Sequence, residues 1–208
     1  MNNYMTSRGN FVPQDLSTSN VMISPQQFST SKAKCLGLIP SNNAETIGSE
    51  LLSTNSTMEH IANWFLSKEL MSNKKLQKLC YYAYCWYIVF FNDLETINCE
   101  APGEIQTLST EKFQAWIHGP VLPRLYHRYK EYGWQDIPQT TKPSFPAPIE
   151  SLLQQVWNAY GRYSADDLEM LSHSESPWIN ARKGIERGEA CTNEISDIDI
   201  LAYYSNLG

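Results

Sequence analysis

Phe113-Gln-Ala-Trp-Ile-His-Gly-Pro-Val-Leu-Pro-Arg-Leu-Tyr126 decides how the rest of the chain is arranged. It opens in alternation, with Phe113, Ala115 and Ile117 on one side and Gln114, Trp116 and His118 on the other. That is the period of a short half-buried strand, with the Phe113 face inward. After Gly119-Pro120 the period becomes helical. Leu122, Leu125, Tyr126 and Tyr129 recur at spacings of three and four, and Pro120 and Pro123 fit a first turn, where no amide donor is required. A strand running through Gly-Pro straight into a helix sets the angle between two elements. The same residues also suit a plain tight corner, because glycine and proline are the usual chain punctuators.

Working backwards, Ser56-Thr-Met-Glu59 has the spacing of a capping box, and Ile61, Trp64 and Phe65 give a first helix its apolar stripe, ending near Met71. Ser72 or Asn73 starts the second helix, with Leu76, Leu79, Cys80, Ala83, Tyr87 and Phe90 on its buried face. Tyr81, Tyr82, Tyr84 and Trp86 make it apolar nearly all round, which predicts a central place in a bundle. Lys74, Lys75 and Lys78 crowd its first turns, where the helix dipole disfavours cations. They read as a solvated face or as a contact to an acidic partner. A polar connection through Pro102-Gly103 leads to a short strand over 105–108, expected to pair with 113–117 as a hairpin.

Working forwards, Gly133 suits a helix C-terminus, and Trp134 and Ile137 follow as anchors. Pro138, Pro143, Pro146 and Pro148 predict a stiff linker. Leu152, Leu153, Val156, Trp157 and Tyr160 predict an amphipathic helix over 149–163. Ser164 caps the next helix, which reaches His173; Pro177 opens another, to Gly184; Ser196 caps the last, with Ile198, Leu201, Ala202 and Tyr204. The fold class is mainly α: a compact helical domain over residues 58–208 with a small antiparallel β-hairpin. A polar, flexible N-terminal arm, residues 1–57, precedes it. The arm is rich in Ser, Thr and Asn and its few charges cancel, so the net charge of −6 belongs to the helical domain. It holds too little apolar surface to offset the entropy of ordering.

The 208 residues suit one domain and an appendage, and 42% hydrophobic with 12% aromatic content suffices for a core. A net charge of −6 disfavours nucleic acid as the main partner, since gripping phosphates takes clustered Lys and Arg. It is compatible with a basic protein partner. The five cysteines (Cys35, Cys80, Cys85, Cys99 and Cys191) form no pattern of bridges or metal clips and read as free thiols of a reducing compartment. No basic start leads into an apolar leader, and the longest apolar stretch, 80–91, is too short to span a bilayer. The expectation is a cytoplasmic protein with no membrane partner.

Three histidines are the candidates for chemistry. His118 stands at the Gly-Pro corner, His127 shares a helix face with Arg124 and Arg128, and His173 ends a helix with Glu175 near enough in sequence to pair with it. No triad or metal spacing connects them, so the chain reads as no enzyme, with no catalytic residue, metal or cofactor. Binding has more support. Trp116 and His118 point away from the inward strand face, and with Arg124, Arg128 and Lys130 they make a candidate partner-facing patch. Trp, Tyr and Arg dominate binding energy at interfaces, although large aromatics are first of all core material.

Four stretches together resemble the Panacea domain, also described as SocA-like or phage-associated GepA-like. They are Asn73-Lys-Lys-Leu-Gln-Lys-Leu-Cys-Tyr-Tyr-Ala-Tyr-Cys-Trp-Tyr87, the Ala115-Trp116…Gly119-Pro120-Val121 run, the segment Leu171-Ser-His173…Pro177-Trp178…Ala181-Arg182, and the helix from Ile198 to Tyr204. Gly119, Pro120, His173, Pro177 and Trp178 are the residues matching its structural motifs. Ser172 departs from the threonine common there, and the polar connection before the hairpin is longer. The resemblance implies the antitoxin half of a toxin–antitoxin pair, often on phages and mobile elements, that neutralises its cognate protein toxin by direct binding. It leaves as alternatives an adaptor that delivers the toxin to a protease, with residues 1–57 as the recognised tag, and a small cofactor-free enzyme using His118 and His173. Many relatives add an N-terminal DNA-binding domain, but residues 1–57 lack paired amphipathic helices, so DNA binding is not expected.

Overall fold

A computed structural model describes residues 57–92, 104–186 and 188–207. The arm (but for Thr57), Ser56 of the first capping box and the Pro102-Gly103 turn lie outside the described residues. Among the described residues seven α-helices carry the fold: α1 (Thr57–Leu66), α2 (Asn73–Phe91), α3 (Pro123–Tyr129), α4 (Ala147–Tyr160), α5 (Ala165–Ser174), α6 (Ser176–Ala181) and α7 (Asp197–Ser205). Two small antiparallel pairs accompany them. Strand β1 (Met71–Ser72) pairs with β4 (Asp136–Ile137), and β2 (Gln114–Trp116) pairs with β3 (Gly119–Val121).

Helix α2 is the axis. Every residue from Leu76 to Val89 is buried, as its all-round apolar sequence predicts, and α1, α4, α5, α7 and the β2–β3 hairpin pack around it. Its aromatic rings reach its neighbours in turn. Tyr82 stacks on Tyr160 at 4.0 Å between centroids, Trp86 meets Tyr204 edge-on at 5.4 Å, and Tyr81 meets Phe113 at 5.4 Å. A buried indole or phenol needs a polar partner for its tip. The Trp86 indole donates to Tyr160 Oη (3.0 Å) and the Tyr84 hydroxyl to Asp197 (2.7 Å). Tyr82 (3.3 Å) and Tyr204 (2.6 Å) both donate to Glu175. Glu175 therefore does not pair with His173 as expected. It is enclosed among phenols, and burial pushes its carboxyl up to about 8.

Helix boundaries follow local caps. Ser72 accepts from Lys75 N (3.3 Å), Ser164 and Asp167 form a reciprocal capping box, and Ser196 accepts from Asp199 N (3.3 Å). Helix α1 stops at Leu66, short of the expected Met71, where Ser67 Oγ donates to the Trp64 carbonyl (2.6 Å); Met71 instead pairs with Ile137. Pro146 and Pro148 belong to the start of α4, and that helix ends at Tyr160.

The hairpin departs from expectation. Residues 105–108 form no strand, because the Asn92 side chain occupies the Gln106 backbone from both sides: Nδ2 donates to its carbonyl and Oδ1 accepts from its N–H, each at 2.8 Å. The partner of β2 is the Gly119-Pro120-Val121 segment, in register Gln114↔Val121, Ala115↔Pro120 and Trp116↔Gly119. Only Pro123 sits in the first turn of α3. A proline fits in β3 because its opposite number, Ala115, uses its own groups elsewhere. The Ala115 N–H donates to the Asn193 carbonyl (2.8 Å), and its carbonyl accepts from Arg182 (2.8 Å). Phe113 and Ala115 are inward as predicted, whereas Ile117 lies in the reversal and is exposed.

Candidate functional site

The hairpin is held on α2 by polar residues of that helix. Gln77 is buried; its carbonyl oxygen accepts from Leu122 N (2.9 Å) and its amide donates to Asn73 Oδ1 (3.3 Å). Asn73 in turn donates to the Tyr126 carbonyl (3.3 Å). Lys78 is 1% exposed and donates to the Pro120 carbonyl (2.9 Å). Burial brings its pKa down to about 7; Glu169 works against that shift and Lys74 adds to it. The three lysines are thus no solvated face. Lys78 is in the core, Lys75 donates to Glu69 (2.5 Å) and the Gly161 carbonyl (2.7 Å), and Lys74 pairs with Asp166 (2.6 Å) and with Glu169.

On its other side the hairpin is tied to the segment after α5. Trp178 Nε1 donates to the Trp116 carbonyl (3.1 Å). The Arg182 guanidinium spans from the Ala115 carbonyl to that of Glu189 (2.6 Å) and lies 5.1 Å over the Trp178 ring. His173 stacks on Trp178, with 4.0 Å between ring centroids. Burial lowers the His173 pKa, and its Nε2 has no hydrogen-bond partner among the described residues. Gly119, Pro120, His173, Pro177 and Trp178 accordingly lie together around the hairpin, while His127 is exposed.

Between the hairpin, the first turns of α2, α3 and the start of α5 a groove of about 620 Å³ opens. Trp116, Tyr126 and Val121 give it apolar walls, Lys78 and Gln77 lie at its inner side, Lys74, Lys130 and Asp166 add charge, and His118 adds an imidazole. Trp116 is half-buried, its ring edge-on to Tyr126 at 5.0 Å and its indole N–H donating to Gln114 (2.8 Å). His118 is mostly in solvent, with Nδ1 3.1 Å from Glu169 Oε1. Burial raises the Glu169 carboxyl, but its bonds to Lys74 and His118 outweigh this and hold it below the ordinary carboxylate range.

The expected patch of Trp116, His118, Arg124, Arg128 and Lys130 divides here. Trp116, His118 and Lys130 line the groove. Arg124 turns to Glu111 (3.3 Å) and Glu59 (3.4 Å), and Arg128 to Glu59 (3.6 Å), so both fasten α3 to α1 and Arg124 also ties it to the loop before the hairpin. One rim residue was misassigned. Trp134 was expected as an anchor but is 99% exposed at the groove, held out by the turn at Gly133, whose φ is +56°. Ile137, its companion, is buried as expected. A tryptophan just after a helix-ending glycine was the available signal, since the chain there has left the element that buries its neighbours.

No described helix is long and apolar enough to cross a membrane, and no cluster of His, Cys, Asp or Glu suited to a metal occurs among the described residues. No curated protein and no solved structure matches the chain. The family model described as antitoxin SocA-like, Panacea domain matches residues 103–179, which span the hairpin, α3, α4, α5 and the Pro177-Trp178 segment, so over that stretch the chain is similar to that family.

Proposed function

We propose that the chain is an antitoxin that neutralises a cognate protein toxin by binding it directly in the cytoplasm, with no chemistry of its own, and that the toxin docks on the groove beside Trp134. The observation that carries the site is the exposure of that indole. Burying an aromatic side chain removes about 150–250 Å² from water, worth about 4–6 kcal/mol at about 25 cal/mol/Å². Trp134 forgoes this in the free protein, while Ile117 (39% exposed) on the facing hairpin turn presents a second apolar surface. Exposed aromatics beside a concave, partly polar surface have the composition of a binding hot spot. The antitoxin family supplies the class of partner.

The test is co-expression with the product of the neighbouring reading frame. That product alone should arrest growth, the full chain should relieve the arrest, and Trp134→Ala should abolish relief without lowering the amount of folded antitoxin. A toxin whose cellular level stays constant during relief marks blocking. A level that falls, and recovers when residues 1–56 are deleted, marks delivery to a protease instead.

A further inference from the structure

We infer that the segment received by the groove is acidic: an extended stretch of the partner carrying an Asp or Glu that meets the amines of Lys78 and Lys130, flanked by apolar side chains that meet Trp116 and Trp134. The inference rests on the docking site just proposed and adds the chemistry of what enters it.

The charges lining the groove are unbalanced. Lys74, Lys78 and Lys130 face it against a single lining carboxylate, Asp166, in a chain whose net charge is −6. Two carboxylates close to the site are already engaged: Asp166 by Lys74, and Glu169, behind it, by Lys74 and His118. Neither Lys78 nor Lys130 has a carboxylate within ion-pair distance among the described residues. Lys78 is the more telling of the two. An ammonium carries three donors, and the Pro120 carbonyl is the one acceptor found for this amine among the described residues. An amine so sparsely served carries its charge only at a cost, and an arriving carboxylate would offset that cost.

The surroundings favour a carboxylate over other counter-charges. Trp116 and Tyr126 line the groove together with Lys78, so a group entering it sits beside aromatic surface. At about 620 Å³ the space suits a few side chains of a strand or loop, not a second folded domain. The rest of the toxin then contacts the rim, where Trp134 stands.

The experiment uses the full chain and the purified product of the neighbouring reading frame. Binding is measured by calorimetry at low and high salt for the wild type, Trp134→Ala, Lys130→Glu and Lys78→Met. A zero-length carbodiimide then couples carboxylates to any amine they touch, and the joined peptides are read by mass spectrometry. Expected are a weakening of about tenfold or more for Lys130→Glu, greatest at low salt, and an amide joining Lys78 or Lys130 to an Asp or Glu of the partner. Lys130 is exposed, so its variant carries the test even where Lys78→Met folds poorly. If binding is sensitive to Trp134→Ala while Lys130→Glu binds as the wild type and no such amide forms, the acidic occupant is wrong and the docking site stands. If Trp134→Ala binds normally, or the wild type does not bind, the docking site falls and the inference with it. Self-association of the chain that Trp134→Ala abolishes makes a second copy the occupant and likewise overturns the inference.

Discussion

Gly119 and Lys78 occupy one space. A β-carbon on Gly119 would lie 2.7 Å from Lys78 Cε and 3.0 Å from its Nζ, with Ser172 Oγ at 2.8 Å, and the glycine φ is +92°. The hairpin reaches α2 closely enough for the Lys78–Pro120 hydrogen bond because this residue has no side chain. Gly119→Ala combines a strained backbone with a clash inside packed structure, and we expect a loss of about 2–4 kcal/mol, read as a lower midpoint in urea unfolding. An unchanged midpoint means that the hairpin does not sit against α2 as described.

Removing the charge of Lys78 should harm the fold far less than crowding it. Lys78→Met keeps most of the volume and deletes a buried amine, a change expected to be neutral or stabilising. Lys78→Ala leaves a cavity and should cost about 2–4 kcal/mol. Thermal melts of the two variants separate a packing role for the side chain from an ionic one.

Two buried groups oppose each other in their response to pH. Glu175, with an ordinary value of 4.5, titrates at about 8 in the folded chain. It keeps a proton there that the unfolded chain releases, so stability is lost as pH rises from 4.5 through 8. Lys78, with an ordinary value of 10.5, titrates at about 7. Between those values the unfolded chain holds the extra proton, so stability increases with pH. The two slopes, each at most about 1.4 kcal/mol per pH unit, give a minimum near pH 7–8. Unfolding midpoints measured across this range should show it. Glu175→Gln should flatten the acid side and Lys78→Met the alkaline side. A profile that only falls contradicts the burial of Lys78, and one that only rises contradicts that of Glu175.

Arg182 holds the hairpin through two carbonyls and one ring. Lysine keeps the charge but cannot span both acceptors in the plane of a guanidinium. Arg182→Lys should therefore cost about 1–3 kcal/mol. Hydrogen exchange should quicken first at the Ala115 amide, whose acceptor is the Asn193 carbonyl. Uniform quickening over the whole chain would instead place Arg182 in the global core.

Trp134→Ala is expected to leave stability within about 0.5 kcal/mol of the wild type, as surface substitutions usually do, while abolishing toxin relief. A large fall in stability would show that the indole is packed rather than free.

Much of the architecture is decided within a few residues of sequence. Ser72, Ser164 and Ser196 each start a helix by accepting from the backbone N–H three residues on, a bond that needs no distant partner. The nearly all-round apolar circumference of α2 after Lys78 likewise demands a position surrounded on all sides, wherever the other helices lie. Lys78, Glu175 and Trp134 obey no such local rule. Lys78 is buried because a carbonyl 42 positions away accepts from it, and Glu175 because Tyr82 and Tyr204, from two other helices, donate to it. Trp134 is exposed because no described residue folds over the turn after Gly133. Arg124 and Arg128 have the spacing of a free basic face, yet Glu59 and Glu111 meet them from elsewhere in the chain. Periodicity reports how apolar a face is, and so placed the helices and the inward side of the hairpin. Whether a charge is buried or an indole left in water depends on which distant groups arrive beside it, and only tertiary packing brings them there.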